Sequence, residues 1–301
     1  MPAEIPKLVR EHESAGRYIQ VRSRSIFVRD EGEGPPVLMV HGVPTSSFLY
    51  RKMFPMLAGR GLRAVAFDFP GLGLSDKPKG EAYDWHALTR WMEDIVAALD
   101  LEPVHLVVHD IGGPIGFEWA IRHPGNVRTI TIMNTMLDVG RFHRPFPMWL
   151  YVVPGLRQVA VKSQSPALFG PIMRARGVKH REAASRAMVE SYLWLLQHND
   201  GHQPFLDIMA GFDLSESHGR FLEEGLRDLG VPMQLVWGEH EIAIPKHQLQ
   251  HIQRALPLER ERFVDARHFL QEDQAAACSE AVADFALIHA DEERAASARH
   301  A

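Results

Sequence analysis

The sequence predicts an α/β protein: a mostly parallel sheet of eight strands with helices on both faces and an inserted helical cap. Three observations lead to this class. Short aliphatic and β-branched runs alternate with stretches of helical periodicity, which is typical of parallel sheets. A proline-punctuated segment without strands interrupts this alternation. The length of 301 residues, 46% of them hydrophobic, is sufficient for one large domain with an insertion.

Eight segments have the composition of strands, and most are bounded by glycine, proline or acidic residues. In chain order they are two strands within 18–29, then 37–40, 62–67, 104–108, 127–133, 231–237 and 262–265. Helical periodicity predicts helices over 48–60, 85–99, 246–256 and 273–290, and a polar tail from 291 that is expected to fray. The strandless segment sets the predicted domains: core over 1–136, cap over 137–230, and core again over 231–301.

The central stretch, 104–120, reads VHLVVHDIGGPIGFEWA. Its aliphatic run is typical of a strand buried on both faces, and it ends at Asp110 before Gly112, Gly113 and a helical pattern. A strand that enters a helix through such a glycine turn has the outline of a nucleophile elbow. The free N–H groups and the positive end of the helix keep a carboxylate at the turn ionised. The alternative interpretation is that Asp110 only caps the helix.

Polar residues stand at the ends of five predicted strands. They are His41, Asp110, Asn134, Glu241 and His268. In a parallel α/β sheet the active site lies at the carboxyl ends of the strands, so these residues are expected to converge on one crevice. Helix capping alone does not explain all five positions. The pattern therefore predicts an enzyme active site.

Composition narrows the class of partner. The formal charge is −5, the pI is about 6.4 and no basic stripe is present, which argues against nucleic acid. Cys278 is the only cysteine, so no intrachain disulfide can form, in keeping with a reducing compartment. The first ten residues lack the apolar core of a signal peptide, and no run approaches membrane-spanning length. We expect a cytoplasmic protein that does not enter membranes, and we leave open a homodimer.

Neither a metal nor a cofactor is expected. The 17 histidines include no H-E-x-x-H motif. His247 and His251 lie one helical turn apart, but no third ligand is in view, which favours a solvated face. The glycine-rich loop 68–78 lacks the lysine pattern of a phosphate-binding loop and is expected to be a structural turn.

Five motifs, taken together and in order, carry a family resemblance that runs from about residue 18 to residue 290. They are H-G-V-P at 41–44, D-F-P-G-L-G-L-S-D-K-P at 68–78, H-D-I-G-G at 109–113, W-G-E-H-E at 237–241 and R-H-F-L-Q-E at 267–272. The chain resembles the α/β-hydrolases with an aspartate nucleophile, the branch of epoxide hydrolases and haloalkane dehalogenases. No G-x-S-x-G motif is present, which argues against a serine esterase.

The resemblance implies a role for each motif residue. Asp110 would attack a saturated carbon and form an alkyl ester, and His268 would activate the water that hydrolyses it. Glu241 would orient and stabilise the imidazolium of His268; relatives usually carry Asp there, and Glu239 is the fallback. The backbone N–H groups of Val43 and Ile111 would form the oxyanion hole.

The leaving group separates two reactions on small apolar substrates with water. Haloalkane dehalogenases typically hold the halide with side-chain N–H donors at the positions of Val43 and Ile111, which here cannot donate. A cap tryptophan, Trp149 or Trp194, could donate to the halide, but it would be the only side-chain donor. An epoxide instead needs an acid for its alkoxide, which relatives supply from cap tyrosines, and Tyr151 and Tyr192 are the candidates here.

An epoxide hydrolase that forms vicinal diols is therefore the leading expectation, with His143 and His198 as reserve donors. A haloalkane dehalogenase that releases halide is the alternative. A non-catalytic binding protein on a hydrolase scaffold is a third reading. The complete set of Asp110, Glu241 and His268 argues against that third reading.

Overall fold

The computed structural model describes residues 4–101, 103–144 and 148–300, with side chains up to residue 291. Residues 1–3, 102, 145–147 and 301 belong to the predicted core and cap ranges and lie outside the described residues. The eight-stranded sheet predicted from the sequence is confirmed. Four of its strands extend one or two residues beyond their predicted carboxyl ends, and one of these extensions brings Asp110 into a strand.

The strands form one sheet in the order β1-β2-β4-β3-β5-β6-β7-β8. They are β1 (Arg17–Val21), β2 (Arg24–Glu31), β3 (Pro36–Val40), β4 (Arg63–Phe67), β5 (Val104–Asp110), β6 (Val127–Thr135), β7 (Met233–Gly238) and β8 (Leu258–Val264). β2 is antiparallel to β1 and to β4, and every other pairing is parallel. The mostly parallel order places the carboxyl ends of β3, β5, β6, β7 and β8 along one edge.

Twelve α-helices surround this sheet within the described residues. They are α1 (Lys7–Ser14), α2 (Met53–Ala58), α3 (Trp85–Leu99), α4 (Gly112–Arg122), α5 (Arg157–Lys162), α6 (Pro166–Ile172), α7 (Arg186–Gln197), α8 (His202–Ala210), α9 (Glu216–Leu229), α10 (Lys246–Ala255), α11 (Leu270–Asp273) and α12 (Ala275–His300). A π-helical turn, Met173–Gly177, follows α6. In the described part of the chain, no helix combines the length and apolar character needed to cross a bilayer.

The central strand β5 is buried on both faces, as its aliphatic run predicts. Leu106 and Val108 pack in one apolar cluster with Trp119 of α4. Val107, whose side chain points the opposite way, packs in a second cluster with Phe54 of α2. Helices α3, α4 and α9 cover the first face, while α2 and α12 cover the second. The site at the end of β5 therefore stands on a rigid, two-sided core.

The packing of helix α9 bears on where the expected cap range, 137–230, ends. Helix α9 packs on α4, and Gly225 approaches so closely that an added Cβ would lie 2.7 Å from the side chain of Ile121. The helix then leads directly into β7, as a crossover helix of a parallel sheet does. We therefore propose that α9 belongs to the core layer and that the cap ends before Glu216. A core helix and a cap helix share the same periodicity, so the sequence alone does not separate them.

Two predicted helices differ in their bounds. The segment predicted as one helix over 48–60 is a 3₁₀ turn, Ser47–Tyr50, followed by α2. Pro55 has no N–H to donate to a preceding turn, so it is accommodated only near the start of a helix. The tail expected to fray from 291 continues α12 through His300, in a stretch rich in alanine, glutamate and arginine, which favour helix.

Candidate active site

Asp110 is held at a strained elbow between β5 and α4. Its φ of +53° lies in the left-handed region that non-glycine residues seldom adopt, so the surrounding packing must enforce it. An added Cβ would lie 2.5 Å from the carbonyl oxygen of Val40 at Gly112 and 1.9 Å from the Thr135 hydroxyl at Gly113. The two glycines are therefore required because the neighbouring strands approach the turn closely.

The loop after β3 supplies the first contact to the Asp110 carboxylate. The backbone N–H of Val43 donates a hydrogen bond to Asp110 Oδ1 over 2.9 Å. Gly42 makes this approach possible, because a Cβ there would lie 2.2 Å from the same oxygen. For the N–H of Ile111, the second expected donor, no hydrogen bond to a described residue is found. The Ile111 side chain is buried.

Three ionisable side chains form a buried array. His268 Nδ1 lies 2.8 Å from Glu241 Oε2, and His268 Nε2 lies 3.5 Å from Asp110 Oδ2. All three side chains are at most 7% exposed. Glu241 is further fixed because its Oε1 accepts the backbone N–H groups of Ala243 and Ile244. The structure thus brings together the three residues that the motifs single out.

The charges of this array depend on one another. Burial disfavours the imidazolium of His268, but the charges and hydrogen bonds of Glu241 and Asp110 outweigh burial and raise the pKa of His268 to about 10. Burial likewise raises the pKa of the Asp110 carboxyl, but His268 and the Val43 N–H outweigh it and hold this pKa below its usual range. At neutral pH the site therefore contains an ionised aspartate beside an imidazolium.

Two further residues position His268, and the sequence interpretation gave neither of them this task. The Asn134 amide donates to the backbone oxygens of Arg267 and His268, while its own oxygen accepts the N–H of Gly238. His109 Nε2 donates to the same His268 oxygen over 2.9 Å, and burial lowers the pKa of His109 to about 3, so it stays neutral. Both residues could have been found from the sequence, because Asn134 stands near the carboxyl end of β6 and His109 near that of β5.

The glycine-rich loop 68–78 is a structural turn, as expected. Asp68 is fully buried, and its two oxygens accept the backbone N–H groups of Ser47 and Leu74, both over 2.7 Å. His41 Nε2 accepts the N–H of Phe69. His41 therefore joins the two loops that flank the site and does not line the cavity.

A cavity of about 130 Å³ lies between the core and the cap. Asp110, Val43 and His268 line it from the core. Most of its remaining lining is apolar: Pro44, Phe142, Met148, Phe169, Ile172, Met173, Gly177, Leu196, Phe205, Met209, Ala243, Ile244 and Phe269, with Tyr151, Gln164 and Arg176 as the polar exceptions. The cavity is of a size and character to hold a small apolar molecule against the carboxylate.

The two cap tyrosines occupy different environments. Tyr151 lines the cavity, and its hydroxyl oxygen accepts a hydrogen bond from Gln164 Nε2 over 2.7 Å. Burial raises the pKa of Tyr151 although the Gln164 contact acts in the opposite direction, so the hydroxyl keeps its proton. Tyr192 does not line the cavity; its hydroxyl donates to the buried carboxylate of Glu272 over 2.9 Å. The expectation that Tyr192 faces the substrate is therefore not met.

The other donors considered from the sequence also lie away from the cavity. Trp149 is half exposed, and Trp194 stacks on His198 with ring centroids 4.2 Å apart. None of these three residues lines the cavity, and neither does His143, whose ring contacts the Arg141 carbonyl.

Arg176 is a cation in the cavity lining that the sequence interpretation missed. It stands in the π-helical turn, and no hydrogen bond or ion pair joins its guanidinium to any residue the structure describes. Arg267 anchors this turn by donating to the carbonyl oxygens of Arg174 and Ala175, over 2.9 and 2.8 Å. The N–H of Phe269 donates to the Gly177 carbonyl. Arg267 and Phe269 flank His268 in the chain, so the turn is tied to the loop that carries His268.

His247 and His251, which were considered as a metal site, contact other side chains of the protein. His251 Nε2 lies 2.8 Å from Glu223 Oε2, and His247 contacts Gln248. Within the described part of the chain, no third ligand completes a cluster with these two histidines.

Comparison with known proteins gives consistent matches over most of the chain. Residues 35–275 match the family described as alpha/beta hydrolase fold. A cis-3-alkyl-4-alkyloxetan-2-one decarboxylase from Shewanella oneidensis is 30% identical over 261 residues, covering 81% of this chain and 79% of that protein. A haloalkane dehalogenase from Mycobacterium marinum is 30% identical over 261 residues, covering 81% and 82%. Other haloalkane dehalogenases match as well.

A solved structure with a different reported activity shares the fold. A Pseudomonas aeruginosa protein proposed to be an epoxide hydrolase superposes with a TM-score of 0.78, covering 92% of this chain and 97% of that one. The sequence identity is 21%, so this likeness shows the fold alone.

The coupling between the three ionisable groups predicts how His268 titrates. In wild-type protein the His268 ring should titrate near pH 10. In Asp110→Asn, and separately in Glu241→Gln, the pKa should fall because one of the two carboxylate charges is gone. Histidine-labelled NMR measures it, with His143→Gln as a control at an exposed cap histidine. An unchanged pKa in both variants would show that the carboxylates do not hold the proton on His268.

Proposed function

Because the chain belongs to the alpha/beta hydrolase fold family, in the branch of haloalkane dehalogenases and epoxide hydrolases, we propose that it hydrolyses small apolar molecules at a saturated carbon through an ester of Asp110. The single observation that supports this most strongly is the buried array of Asp110, His268 and Glu241 at the wall of an apolar cavity. An ionised carboxylate in an apolar, largely water-free site is a strong nucleophile toward carbon.

The first step is displacement. The Val43 N–H occupies Asp110 Oδ1, so Oδ2 is the freer oxygen to attack. The new bond joins Oδ2 to the substrate carbon, and the electron pair of the broken bond leaves with the halide or the ring oxygen. Oδ1 becomes the carbonyl oxygen of the ester, already within hydrogen-bond distance of Val43.

The second step is hydrolysis, and ester formation itself prepares the base. Alkylation removes the negative charge of Asp110, one of the two charges that raise the pKa of His268. This pKa then falls, so the imidazole releases its proton to solvent or to the alkoxide of an opened epoxide, and can accept one from a water molecule. Attack of that water on the ester carbonyl places negative charge on Oδ1, where the Val43 N–H stabilises it. Collapse of this intermediate breaks the Cγ–Oδ2 bond, and the alcohol leaves with Oδ2 and with the proton that His268 accepted.

Haloalkanes are the first candidate substrates. The comparisons favour them, since a dehalogenase matches at 30% identity over 81% of the chain, whereas the protein proposed to be an epoxide hydrolase resembles it in fold at 21%. No tryptophan of the described chain lines the cavity, so the halide needs another donor. We assign that task to Arg176, whose guanidinium carries five N–H donors and a fixed positive charge. Arg176 thus supplies the side-chain N–H donors for a halide that Val43 and Ile111 lack.

Epoxides are the second candidate, and Tyr151 is the observation that favours them. Its oxygen already accepts from Gln164, so its own proton is free to be donated to an opening alkoxide. A four-membered oxetan-2-one, the ring in the name of the Shewanella relative, is also a strained ring with an oxygen leaving group. It belongs in the same substrate panel.

Both candidate reactions pass through an ester of Asp110, so activity assays on both substrate classes, combined with trapping of this ester, test the proposed function. We expect wild-type protein to release halide from 1,2-dibromoethane or diol from styrene oxide. We expect His268→Ala to form the Asp110 ester without hydrolysing it, so that mass spectrometry finds the alkyl group on the peptide containing residue 110. Asp110→Asn should give no adduct, and His198→Gln should behave as wild type. Turnover by wild type with no adduct in His268→Ala would exclude the ester, and inactivity on the whole panel would contradict the proposed function.

Two matched pairs of variants separate the leaving groups. If halide is the leaving group, Arg176→Gln should lower haloalkane turnover by roughly 10- to 100-fold, as expected for one hydrogen bond to a charged group, while its neighbour Arg174→Gln should not. If an epoxide oxygen leaves, Tyr151→Phe should lower epoxide turnover by about 100-fold, while Tyr192→Phe should not. Steady-state rates on both substrate classes measure this. Equal losses in a variant and its control would refute the assigned donor.

A further inference from the structure

We propose that His86, Asp213 and His218 form a binding site for a zinc-class divalent ion, separate from the cavity. His86 stands in α3 and His218 in α9, while Asp213 lies in the segment that joins the cap to α9. None of the three lines the cavity. An ion there would link helices α3 and α9 with the segment that precedes α9.

The donor atoms are close enough to share one ion. One ligand atom from each residue lies within 4.8 Å of the others. His86 Nε2 lies 3.1 Å from Asp213 Oδ2, and His218 Nδ1 lies 4.0 Å from the same oxygen. Ligands of a tetrahedral zinc ion, each about 2.0–2.2 Å from the metal, are about 3.3–3.6 Å apart. Small side-chain adjustments therefore close the site, with water as the fourth ligand.

A buried carboxylate orients His86 as it orients metal-bound histidines. Glu118 is 1% exposed, and its Oε2 lies 2.8 Å from His86 Nδ1. Arg122 fixes the other oxygen of Glu118, with Nε 3.0 Å and Nη2 2.6 Å away. The Nδ1–H is thus directed at Glu118, and Nε2 is directed at Asp213. A carboxylate behind a histidine in this way sets the tautomer and strengthens the ligand.

The second histidine presents a ring nitrogen to the same carboxylate. His218 Nδ1 faces Asp213 Oδ2, and an imidazole binds a metal through such a nitrogen. The residue is 6% exposed, and its ring packs against the rings of His86 and Phe221 with centroids 5.0 and 6.1 Å apart. This packing holds Nδ1, the nitrogen nearest Asp213, toward the proposed ion.

Binding exchanges one proton for one ion. Without metal, both ring nitrogens of His86 are hydrogen-bonded to carboxylates, Nδ1 to Glu118 over 2.8 Å and Nε2 to Asp213 over 3.1 Å. The ion takes the place of the proton between Nε2 and Asp213, which leaves to solvent, while the Nδ1–H keeps its hydrogen bond to Glu118. The competing interpretation is that this hydrogen-bonded bridge is the whole purpose of the cluster.

A second cluster of similar composition serves as a contrast. Glu239, His240 and Asp265 also have ligand atoms within reach of one another. The Lys179 ammonium already occupies that cluster: it pairs with Asp265 and lies 2.9 Å from His240 Nε2. A cation supplied by the chain leaves no role for a metal, so the proposal is confined to the first cluster.

Zinc titration of chelator-treated protein tests the site. We expect one Zn²⁺ to bind the wild-type chain with micromolar or tighter affinity by calorimetry, and we expect Co²⁺ to give the intense visible absorption of a tetrahedral site. His218→Gln and Asp213→Asn should each weaken binding at least tenfold, whereas His240→Gln should not. Zinc should also raise the melting temperature of wild type and of His240→Gln, because it binds only the folded chain.

Two results would overturn the proposal. Absence of stoichiometric binding by folded wild-type protein would mean that the cluster is a hydrogen-bonded bridge only. Binding that survives in both His218→Gln and Asp213→Asn would place the ion elsewhere. If one of these variants fails to fold, as judged by circular dichroism, the other decides. None of these measurements depends on catalytic activity, so the test is independent of the proposed reaction.

Discussion

The array of one imidazolium between two buried carboxylates is the interaction on which the rest of this structure depends. His268 lies 2.8 Å from Glu241 and 3.5 Å from Asp110, with all three nearly excluded from solvent. Unpaired, any of these charges would be costly to bury. Together they stabilise each other, and the arrangement keeps Asp110 ionised in an apolar cavity. The first half of the proposed reaction needs an anion there, and the second half needs the imidazolium to lose its proton when that anion is consumed.

The surrounding fold maintains this geometry by contacts that act on the backbone. Packing at Gly42, Gly112 and Gly113 holds the elbow in a left-handed conformation that Asp110 would not adopt alone. Asn134 and His109 fix the carbonyl of His268 from two neighbouring strands. Arg267 ties the cap turn that carries Arg176 to the same loop. A displacement of the cap is therefore coupled to His268, the residue that we propose activates water.

Most strands of the core could be predicted from the sequence, because short stretches of sequence are enough to identify them. Buried parallel strands are recognisable as aliphatic runs, and residues at their carboxyl ends share one edge, so Asp110, Glu241 and His268 could be named in advance. The cap could not be resolved in the same way. Tyr151 and Tyr192 have similar aromatic surroundings in sequence, yet only the first lines the cavity. Arg176 gave no signal, since tertiary packing alone decides which face of an irregular turn meets the cavity. The cluster of His86, Asp213 and His218 joins residues more than 100 positions apart.

Single turnover in ¹⁸O-labelled water tests the central claim most directly. With enzyme in excess over substrate, the product oxygen should come from Asp110, and the heavy isotope should appear in the peptide that contains this residue. This follows because water attacks the carbonyl carbon of the ester and not the substrate carbon. Heavy oxygen found in the product after one turnover, with an unlabelled Asp110 peptide, would mean that water attacks the substrate directly and that Asp110 is not the nucleophile.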